Sequence, residues 1–289
     1  MKGHSVTTDP ETSWRHEEAI VNGIRLHWVE AGAGPLVVLL HGFPEFWYSW
    51  RHQIPVLAER FRVVAPDLRG YNLSEKPQAG YDVETLTDDV RALIQELGEE
   101  RAVIVGHDWG GVIAWAFAAR FPEATEKLVI MNAPHPRRFQ QTMSSGIRQM
   151  LRSSYVLFFQ IPRLPELLLG ANRCWLLARA MQRSAVSTDT FTDEDLARYR
   201  EAMSRPGALT AALGYYRAIF RTRRQTQQLG DVRSPTLVLW GKHDRALGIE
   251  LAAGLEQWVP DITVQYLDCG HWTQQEQPKE VNQHLMEFL

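Results

Sequence analysis

The chain has 289 residues, of which 45% are hydrophobic, and a formal net charge of −3. A chain of this length can bury a large core, and its weak net charge gives no reason to expect a nucleic-acid partner. Residues 1–14 are polar and no apolar run approaches the ~20 residues needed to span a bilayer, so we expect no membrane partner. The two cysteines and the absence of an apolar leader predict a reducing, cytoplasmic compartment.

Alternating strand and helix signals begin after this polar stretch. Residues 18–21 and 24–30 flank an Asn-Gly dipeptide that is typical of a tight turn, and they predict an antiparallel hairpin. Short apolar runs predict further strands over residues 36–40, 61–65, 102–105 and 128–131, and a helix is predicted over 83–97. This βαβ order indicates a mostly parallel sheet with helices on both faces.

The strand signals stop after Met131 and resume only at residues 236–240 and 262–267. We therefore predict a core domain of residues 1–133 and 230–289, with a helical cap of residues 134–229. The cap is expected to lie over the carboxyl ends of the strands, where open α/β sheets bind ligands. It contains fifteen Arg, no Lys and six acidic residues, and we expect solvated arginine faces that pair with an acidic core.

The most informative segment is GHDWGG at residues 106–111, which lies between a predicted strand and a helix predicted over 112–120. A strand, a sharp turn and a helix form the nucleophile elbow, whose usual sequence is G-x-S-x-G. Asp108 occupies the position of the nucleophilic serine. The turn predicts strained backbone angles at Asp108 and therefore small neighbours, which the glycines supply.

An aspartate at the elbow changes the predicted chemistry. A carboxylate, with a reference pKa of about 3.9, is already ionised at neutral pH and needs no base to activate it. Its attack on an ester or amide would give only a reactive anhydride. Its attack on an sp3 carbon that bears a leaving group gives an ordinary ester, which water can later cleave. The segment therefore predicts an alkylating substrate, such as an epoxide or an alkyl halide.

Two further residues complete a catalytic set with Asp108. Asp244 follows the strand predicted at 236–240, and His271 follows the strand predicted at 262–267. The chain order of nucleophile, acid and histidine is that of the α/β-hydrolase triad. We expect His271 to act as a general base on a water molecule, while Asp244 fixes the tautomer of its imidazole and stabilises the imidazolium.

HGFP at residues 41–44 also follows a predicted strand and has the position of the oxyanion loop. The backbone N–H groups of Phe43 and Trp109 are predicted to face the oxyanion that forms when water attacks the Asp108 ester. The bond between Phe43 and Pro44 is a candidate cis peptide, because this loop needs a rigid and unusual turn.

These motifs together resemble the soluble epoxide hydrolases of the α/β-hydrolase superfamily. The resemblance runs from about Ile24 to the C-terminus and rests on HGFPE at 41–45, WYSWR at 47–51, DLRGY at 67–71, GHDWGG at 106–111 and GHW at 270–272. It implies the α/β-hydrolase fold, with a mostly parallel eight-stranded sheet and an inserted helical cap. It also implies hydrolysis of an epoxide to a vicinal diol through an aspartyl ester, without a cofactor.

In that family two cap tyrosines bind and protonate the epoxide oxygen. Their segments are matched by YVLFFQ at residues 155–160 and by YYR at 215–217, so the resemblance assigns this role to Tyr155 and Tyr216. Phenols suit the role, because they stay protonated at neutral pH yet can donate to a developing alkoxide. The apolar stretch 155–169 contains two prolines and is expected to line a substrate tunnel, not to contact a membrane.

The remaining predictions concern substrate contacts and assembly. The side chains predicted to contact substrate are His41, Pro44, Trp109, Phe159 and Trp272. We expect a small-molecule epoxide as the partner, and a homodimer is one candidate assembly. No metal site is expected, because His41, His107 and His271 lack the spacing of metal ligands.

Two other classes of function stay open. A haloalkane dehalogenase would share the chemistry of Asp108 and His271 but would need a halide cradle. Trp109 could supply one N–H group to such a cradle, whereas Phe43 offers no polar side chain for a second. A non-catalytic binding protein of the same fold would be expected to lack part of the triad, and this chain has a complete one.

Overall fold

A computed structural model describes residues 14–145, 147–152, 154–227 and 230–289. The predicted polar N-terminal stretch up to residue 13 therefore lies outside the described residues, as does residue 229 at the predicted end of the cap. Among the described residues, no helix combines the length and the apolar character that crossing a membrane requires.

In this part of the chain, eight strands form a single sheet. The strands are β1 (Arg15–Val21), β2 (Ile24–Ala31), β3 (Leu36–Leu40), β4 (Arg62–Pro66), β5 (Ala102–His107), β6 (Thr125–Met131), β7 (Thr236–Gly241) and β8 (Ile262–Leu267). Their order in the sheet is β1-β2-β4-β3-β5-β6-β7-β8. β2 pairs antiparallel with both β1 and β4, and every other pairing is parallel. The prediction of a mostly parallel sheet is confirmed.

Helices cover both faces of this sheet, as predicted. They are α1 (Ile54–Leu57), α2 (Val83–Glu96), α3 (Trp109–Arg120), α4 (Pro136–Ser145), α5 (Ile147–Arg152), α6 (Ser154–Phe159), α7 (Leu164–Ser184), α8 (Asp193–Ser204), α9 (Ala208–Gln227), α10 (Thr273–Glu276) and α11 (Pro278–Phe288). Side chains alternate between the two faces of a strand. In β5, Ile104 packs in one hydrophobic cluster with α2 and α3, whereas its neighbours Val103 and Val105 pack in a second cluster with α1 and α11.

The helices α4 to α9 all lie between β6 and β7 in the chain, within the segment predicted as a cap. They extend both hydrophobic clusters, since Phe159 joins the first and Tyr199 joins the second. A buried polar contact also joins α8 to the core. The Asp195 carboxylate accepts a hydrogen bond from the Tyr48 hydroxyl at 2.9 Å and lies 3.2 Å from the Arg51 guanidinium.

The observed elements begin and end within a few residues of the predicted ones. Asn22 and Gly23 form the turn between β1 and β2 with positive φ angles of 47° and 77°. β3 has the predicted bounds. α3 begins at Trp109, three residues before its predicted start, so the helix follows Asp108 directly. Because of this earlier start, the first turn of α3 lies directly beside Asp108.

Candidate active site

The turn between β5 and α3 holds Asp108 in a strained conformation, as predicted. Its φ is 50° and its ψ is −118°, a combination of backbone angles that residues other than glycine rarely adopt. The turn is tight. A Cβ atom on Gly110 would lie 2.1 Å from the Leu40 carbonyl oxygen, and one on Gly106 would lie 2.4 Å from the Gly110 carbonyl oxygen. No side chain fits at either position, which explains the glycines on both sides of Asp108.

The Asp108 carboxylate lies between the oxyanion loop and His271. Its Oδ1 accepts a hydrogen bond from the Phe43 N–H at 2.9 Å, and its Oδ2 lies 3.5 Å from His271 Nε2. The peptide bond between Phe43 and Pro44 is cis, as predicted. Burial disfavours the charged carboxylate, but the hydrogen bond and the charge of His271 outweigh it and lower the pKa of Asp108 below its ordinary value. Asp108 is therefore ionised at neutral pH.

Trp109 places a second backbone donor beside Asp108. It is the first residue of α3, where an N–H group has no acceptor within its own helix. The positive end of the helix dipole lies at the same point. Of the two N–H groups predicted to form the oxyanion hole, that of Phe43 donates to the Asp108 carboxylate, and that of Trp109 begins the helix directly after Asp108.

The loops after β7 and β8 bring Asp244 and His271 together. His271 Nδ1 lies 2.7 Å from Asp244 Oδ2, and Asp244 Oδ1 accepts hydrogen bonds from the N–H groups of Ala246 and Leu247. Burial opposes protonation of His271, but the charges of Asp244 and Asp108 outweigh it and raise its pKa well above the ordinary value. Burial likewise opposes ionisation of Asp244, yet His271 and the N–H donors lower the pKa of that carboxyl group.

Asn132 supports Asp244, and sequence reasoning missed it. Its Nδ2 donates to Asp244 Oδ2 at 2.7 Å, while its Oδ1 accepts from the Gly241 N–H and from the Thr273 hydroxyl. Its φ of 41° is one that asparagine tolerates better than most residues. Asn132 directly follows β6, as Asp108 follows β5, so its position at the carboxyl edge of the sheet was the signal that could have found it.

A second buried acid–histidine pair lies behind the first and was also missed. Glu45 Oε2 lies 2.7 Å from His107 Nδ1 and accepts a hydrogen bond from the Gly42 N–H. Glu45 Oε1 accepts from the side-chain amides of Gln274 and Gln275. Burial raises the pKa of Glu45, but the charge and hydrogen bond of His107, together with the Gly42 N–H, outweigh it and lower that pKa, so Glu45 is ionised.

The other nitrogen of His107 connects this pair to the triad. His107 Nε2 lies 2.8 Å from the backbone carbonyl oxygen of His271. A carboxylate and a carbonyl can only accept, so both nitrogens of His107 must donate and the ring is an imidazolium. His107 precedes Asp108 in the chain, and its positive charge helps to lower the pKa of the Asp108 carboxyl group. One buried ring thus connects the loops that carry Asp108 and His271.

The cap places Tyr155 and Tyr216 beside the residues that flank Asp108. The ring centroids of the two tyrosines are 5.9 Å apart, and that of Tyr216 lies 5.1 Å from Trp109 and 5.4 Å from Phe43. Burial raises the pKa of both phenols well above the ordinary value. Nearby negative charge, including that of Asp108, adds to this shift. Both hydroxyl groups are therefore protonated and able to donate.

Phe159 and Trp272, two of the predicted substrate contacts, adjoin this set. The Phe159 ring lies 4.9 Å from Tyr216 and 5.9 Å from Phe43, centroid to centroid. The Trp272 ring lies 4.9 Å from His271 with its plane nearly perpendicular. Its indole N–H donates to a serine hydroxyl of the cap at 2.9 Å, so its apolar face remains as the part that can contact a substrate.

His41, another predicted substrate contact, is engaged by the protein itself. Its Nδ1 lies 2.9 Å from the Gly42 carbonyl oxygen, and its Nε2 accepts from the Leu68 N–H at 3.0 Å. Burial lowers the pKa of His41, which fits a neutral ring with these two bonds. His41 fixes the oxyanion loop and has no polar atom left for a substrate. Among the described residues no group of three or more side chains could hold a metal ion.

Comparison with known proteins agrees with this geometry. Residues 35–278 match the alpha/beta hydrolase fold family. Epoxide hydrolase 1 of Caenorhabditis elegans is 38% identical over 285 residues, which cover 96% of this chain and 70% of that protein. AB hydrolase superfamily protein YfhM of Bacillus subtilis (strain 168) is 43% identical over 274 residues, 93% of this chain and 95% of that protein.

A solved structure is also similar. The crystal structure of the Bacillus megaterium epoxide hydrolase in complex with an inhibitor has a TM-score of 0.88 at 34% identity, covering 94% of this chain and 99% of that one. The fold and the site define an enzyme of the α/β-hydrolase class with an aspartate at the elbow. Within that class, the chain belongs to the epoxide hydrolase family.

Proposed function

We propose that this enzyme hydrolyses epoxides to vicinal diols through a covalent ester on Asp108. The observation that carries the proposal is an ionised, partly buried carboxylate close to two protonated phenols, those of Tyr155 and Tyr216. A carboxylate can attack an epoxide carbon, but the ring oxygen then leaves as an alkoxide and needs a proton. A halide leaves without one, so a pair of phenols favours an epoxide over an alkyl halide.

In the first step, one oxygen of Asp108 forms a bond to an epoxide carbon while the bond from that carbon to the ring oxygen breaks. The ring oxygen takes a proton from one phenol and a hydrogen bond from the other. The product is an ester of Asp108 that carries a hydroxyl group on the adjacent carbon. One tyrosine is left as a phenolate, a state that its burial strongly disfavours.

Ester formation then changes the protonation of His271. In the free enzyme the Asp108 carboxylate, 3.5 Å from Nε2, helps to keep His271 protonated, and an imidazolium cannot act as a base. The ester carries no charge, so this support is lost while burial continues to oppose protonation of His271. The imidazolium proton returns to the phenolate, and His271 becomes a neutral base that Asp244 still orients.

In the second step, His271 takes a proton from a water molecule, whose oxygen attacks the ester carbonyl of Asp108. The N–H groups of Phe43 and Trp109 stabilise the resulting oxyanion. The intermediate collapses and releases the diol oxygen, which takes the proton of the new Asp108 carboxyl group. Asp108 is again a carboxylate, His271 is an imidazolium and both phenols are protonated, so one water has been consumed and the starting state is restored.

A single turnover in water enriched in the heavy oxygen isotope tests the ester. The first diol should carry a light oxygen from Asp108, because the water oxygen stays on the enzyme until the next turnover. Heavy oxygen in that first diol would mean direct attack by water and would refute the ester. A panel of simple epoxides and alkyl halides tests the substrate class, and turnover of halides alone would point to a dehalogenase.

A further inference from the structure

The outer surface of the cap is apolar around the junction of α6 and α7. Seven large apolar side chains are exposed there, and we call them the cap apolar surface: Leu157, Ile161, Leu164, Leu167, Leu168, Trp175 and Leu176. Leu157 is 63% exposed and Leu167 is 72% exposed. The prediction that residues 155–169 line a tunnel is therefore wrong for the five of these side chains that lie within that range. On the inward side, Tyr155 and Phe159 pack against Tyr216.

Five of these side chains lie in α6, at the start of α7 or in the link between them, whereas Trp175 and Leu176 follow a kink in α7 at residues 171–174. Leu164, Leu167 and Leu168 have the spacing of one helix face. Arg217 holds the end of α6 against the start of α7, because it donates to the Phe159 carbonyl oxygen at 3.0 Å and pairs with Glu166 at 2.7 Å. A cluster of exposed large apolar side chains usually marks a site of contact with a partner.

Exposed arginines border the same surface. Arg163, Arg173, Arg179 and Arg183 all lie in or beside α7, and Arg179 follows Trp175 by one helical turn. The only acidic residue between positions 157 and 183 is Glu166, which pairs with Arg217. In the part of the chain that the structure describes, none of these four arginines forms an ion pair with a carboxylate. The cap thus combines exposed apolar groups with uncompensated positive charge.

We propose that the cap apolar surface docks on a membrane that contains anionic lipids. Leucine and tryptophan side chains insert between the headgroups, and the bordering arginines bind lipid phosphates, which is how interfacial amphipathic helices bind anionic bilayers. From the sequence alone we expected no membrane partner, and the exposure of this surface is the observation that changes the expectation. The proposal does not depend on which reaction the enzyme catalyses.

Charge decides between a membrane and a second copy of the chain. A symmetric dimer through this surface would bring the same arginines of both copies together. In the part of the chain that the structure describes, the arginines that border this surface have no carboxylate partner, so two copies repel each other here, whereas an anionic membrane attracts each of them. A membrane is therefore the occupant that complements both properties of the surface, its apolar side chains and its positive charge.

Vesicle flotation of the whole chain tests the proposal. We expect binding to vesicles of phosphatidylcholine mixed with phosphatidylglycerol, much weaker binding to phosphatidylcholine alone, and release as salt screens the charges. The double variant Leu157→Ser/Leu167→Ser should lose about tenfold or more in binding. The variant Arg179→Gln/Arg183→Gln should lose roughly fivefold for each charge removed. Turnover of a water-soluble epoxide should stay unchanged in both variants.

Matched controls separate this surface from general effects. Ile20→Ser/Ile249→Ser removes two exposed isoleucines from the surface of the core domain. Arg60→Gln/Arg101→Gln removes two positive charges from that same domain. Both control variants should bind vesicles like the wild type. Absence of vesicle binding by the wild type, or equal loss in the controls, would overturn the proposal. A dimer in light scattering that Leu157→Ser/Leu167→Ser converts to a monomer, without vesicle binding, would assign the surface to a second copy instead.

Discussion

At the residue scale, Asp108 and His271 control each other's protonation. Asp108 is partly buried and His271 is buried, and each keeps the other charged across 3.5 Å, Asp108 as the anion and His271 as the cation. In the proposed mechanism, alkylation removes the negative charge of Asp108, and the positive charge of His271 then loses its support. The proposed reaction would thus convert His271 from an acid into a base, and its two chemical steps should respond differently to pH.

We predict that the ester accumulates at low pH. The pKa of Asp108 is lowered below its ordinary value of 3.8, so alkylation should persist at pH 5. Ester hydrolysis needs neutral His271, whose pKa in the ester loses the support of Asp108 and should fall below its value in the free enzyme, although Asp244 still raises it. Intact-protein mass after rapid mixing should show the ester at pH 5 but little of it at pH 8. His271→Gln should trap the same adduct at every pH, and an unlabelled His271→Gln protein would contradict this order of steps.

A second prediction concerns the two phenols. Tyr155→Phe and Tyr216→Phe should each slow alkylation, and the double variant should lose most of it, since general acid assistance is typically worth about 10²–10⁴-fold. Single-turnover ester formation is the measurement. Ester hydrolysis should change much less, because it depends on His271.

The neighbouring Tyr215 provides a matched control. Its hydroxyl donates to the Arg69 carbonyl oxygen at 2.7 Å and so serves the fold. Tyr215→Phe should cost about 1 kcal/mol of unfolding free energy, with little effect on alkylation. If the Tyr155→Phe/Tyr216→Phe variant were alkylated at the wild-type rate, the two phenols would not be the proton donors, and a dehalogenase would be favoured.

At the element scale, the site is assembled from loops that follow five strands of one sheet. β3 is followed by the loop with Phe43, β5 by Asp108, β6 by Asn132, β7 by the loop with Asp244 and β8 by the loop with His271. The Glu45–His107 pair ties three of these loops together, because Glu45 binds the first and His107 binds the carbonyl group of His271. These two buried charges are tolerated only because each is paired with the other.

We predict strong coupling between Glu45 and His107. His107→Gln leaves the Glu45 carboxylate buried without its cation and should lower the free energy of unfolding by about 3 kcal/mol or more. Glu45→Gln should cost a similar amount. The double variant should be clearly less destabilised than the sum of the two, as measured by urea unfolding. Additive effects would show that the pair does not act as a unit.

Sequence patterns predicted those features that depend on neighbouring residues. The strands, the elbow and the turn at Asn22 follow from local apolar runs and glycines, and Asp108, Asp244 and His271 follow from their positions after strands. The Glu45–His107 pair joins residues 62 positions apart, and its link to His271 spans 164. No local pattern specifies such contacts, and none indicates which cap leucines face outward.

At the scale of the whole molecule, Asp195 connects cap and core while it also caps α8. Its carboxylate accepts from the backbone N–H and the hydroxyl of Thr192, and across the interface it binds Tyr48 and Arg51. Burial raises the pKa of Asp195, but Arg51 and these hydrogen bonds outweigh it and lower that pKa. Asp195 thus stabilises the folded molecule in its ionised form.

We predict that Asp195→Asn lowers the free energy of unfolding by about 3 kcal/mol at neutral pH. Because the folded pKa lies below the unfolded one, this contribution is complete above about pH 4 and is lost as pH falls through the folded pKa. The difference in melting temperature between wild type and Asp195→Asn should therefore shrink in acid. Asp193→Asn, an exposed change in the same helical turn, should cost no more than about 0.5 kcal/mol, and an equal cost for both would contradict a role at the interface.

The position of the cap in the chain has an evolutionary consequence. The helices α4 to α9 are one insertion between β6 and β7, and they carry Tyr155 and Tyr216, whereas Asp108, Asp244 and His271 all belong to the surrounding sheet. If these residues act as proposed, a change confined to one contiguous stretch of the gene can alter which leaving groups receive a proton while the residues for ester cleavage stay unchanged. Enzymes descended from one ancestor can therefore differ in the bond that they break while they keep the same residues for hydrolysis of the ester.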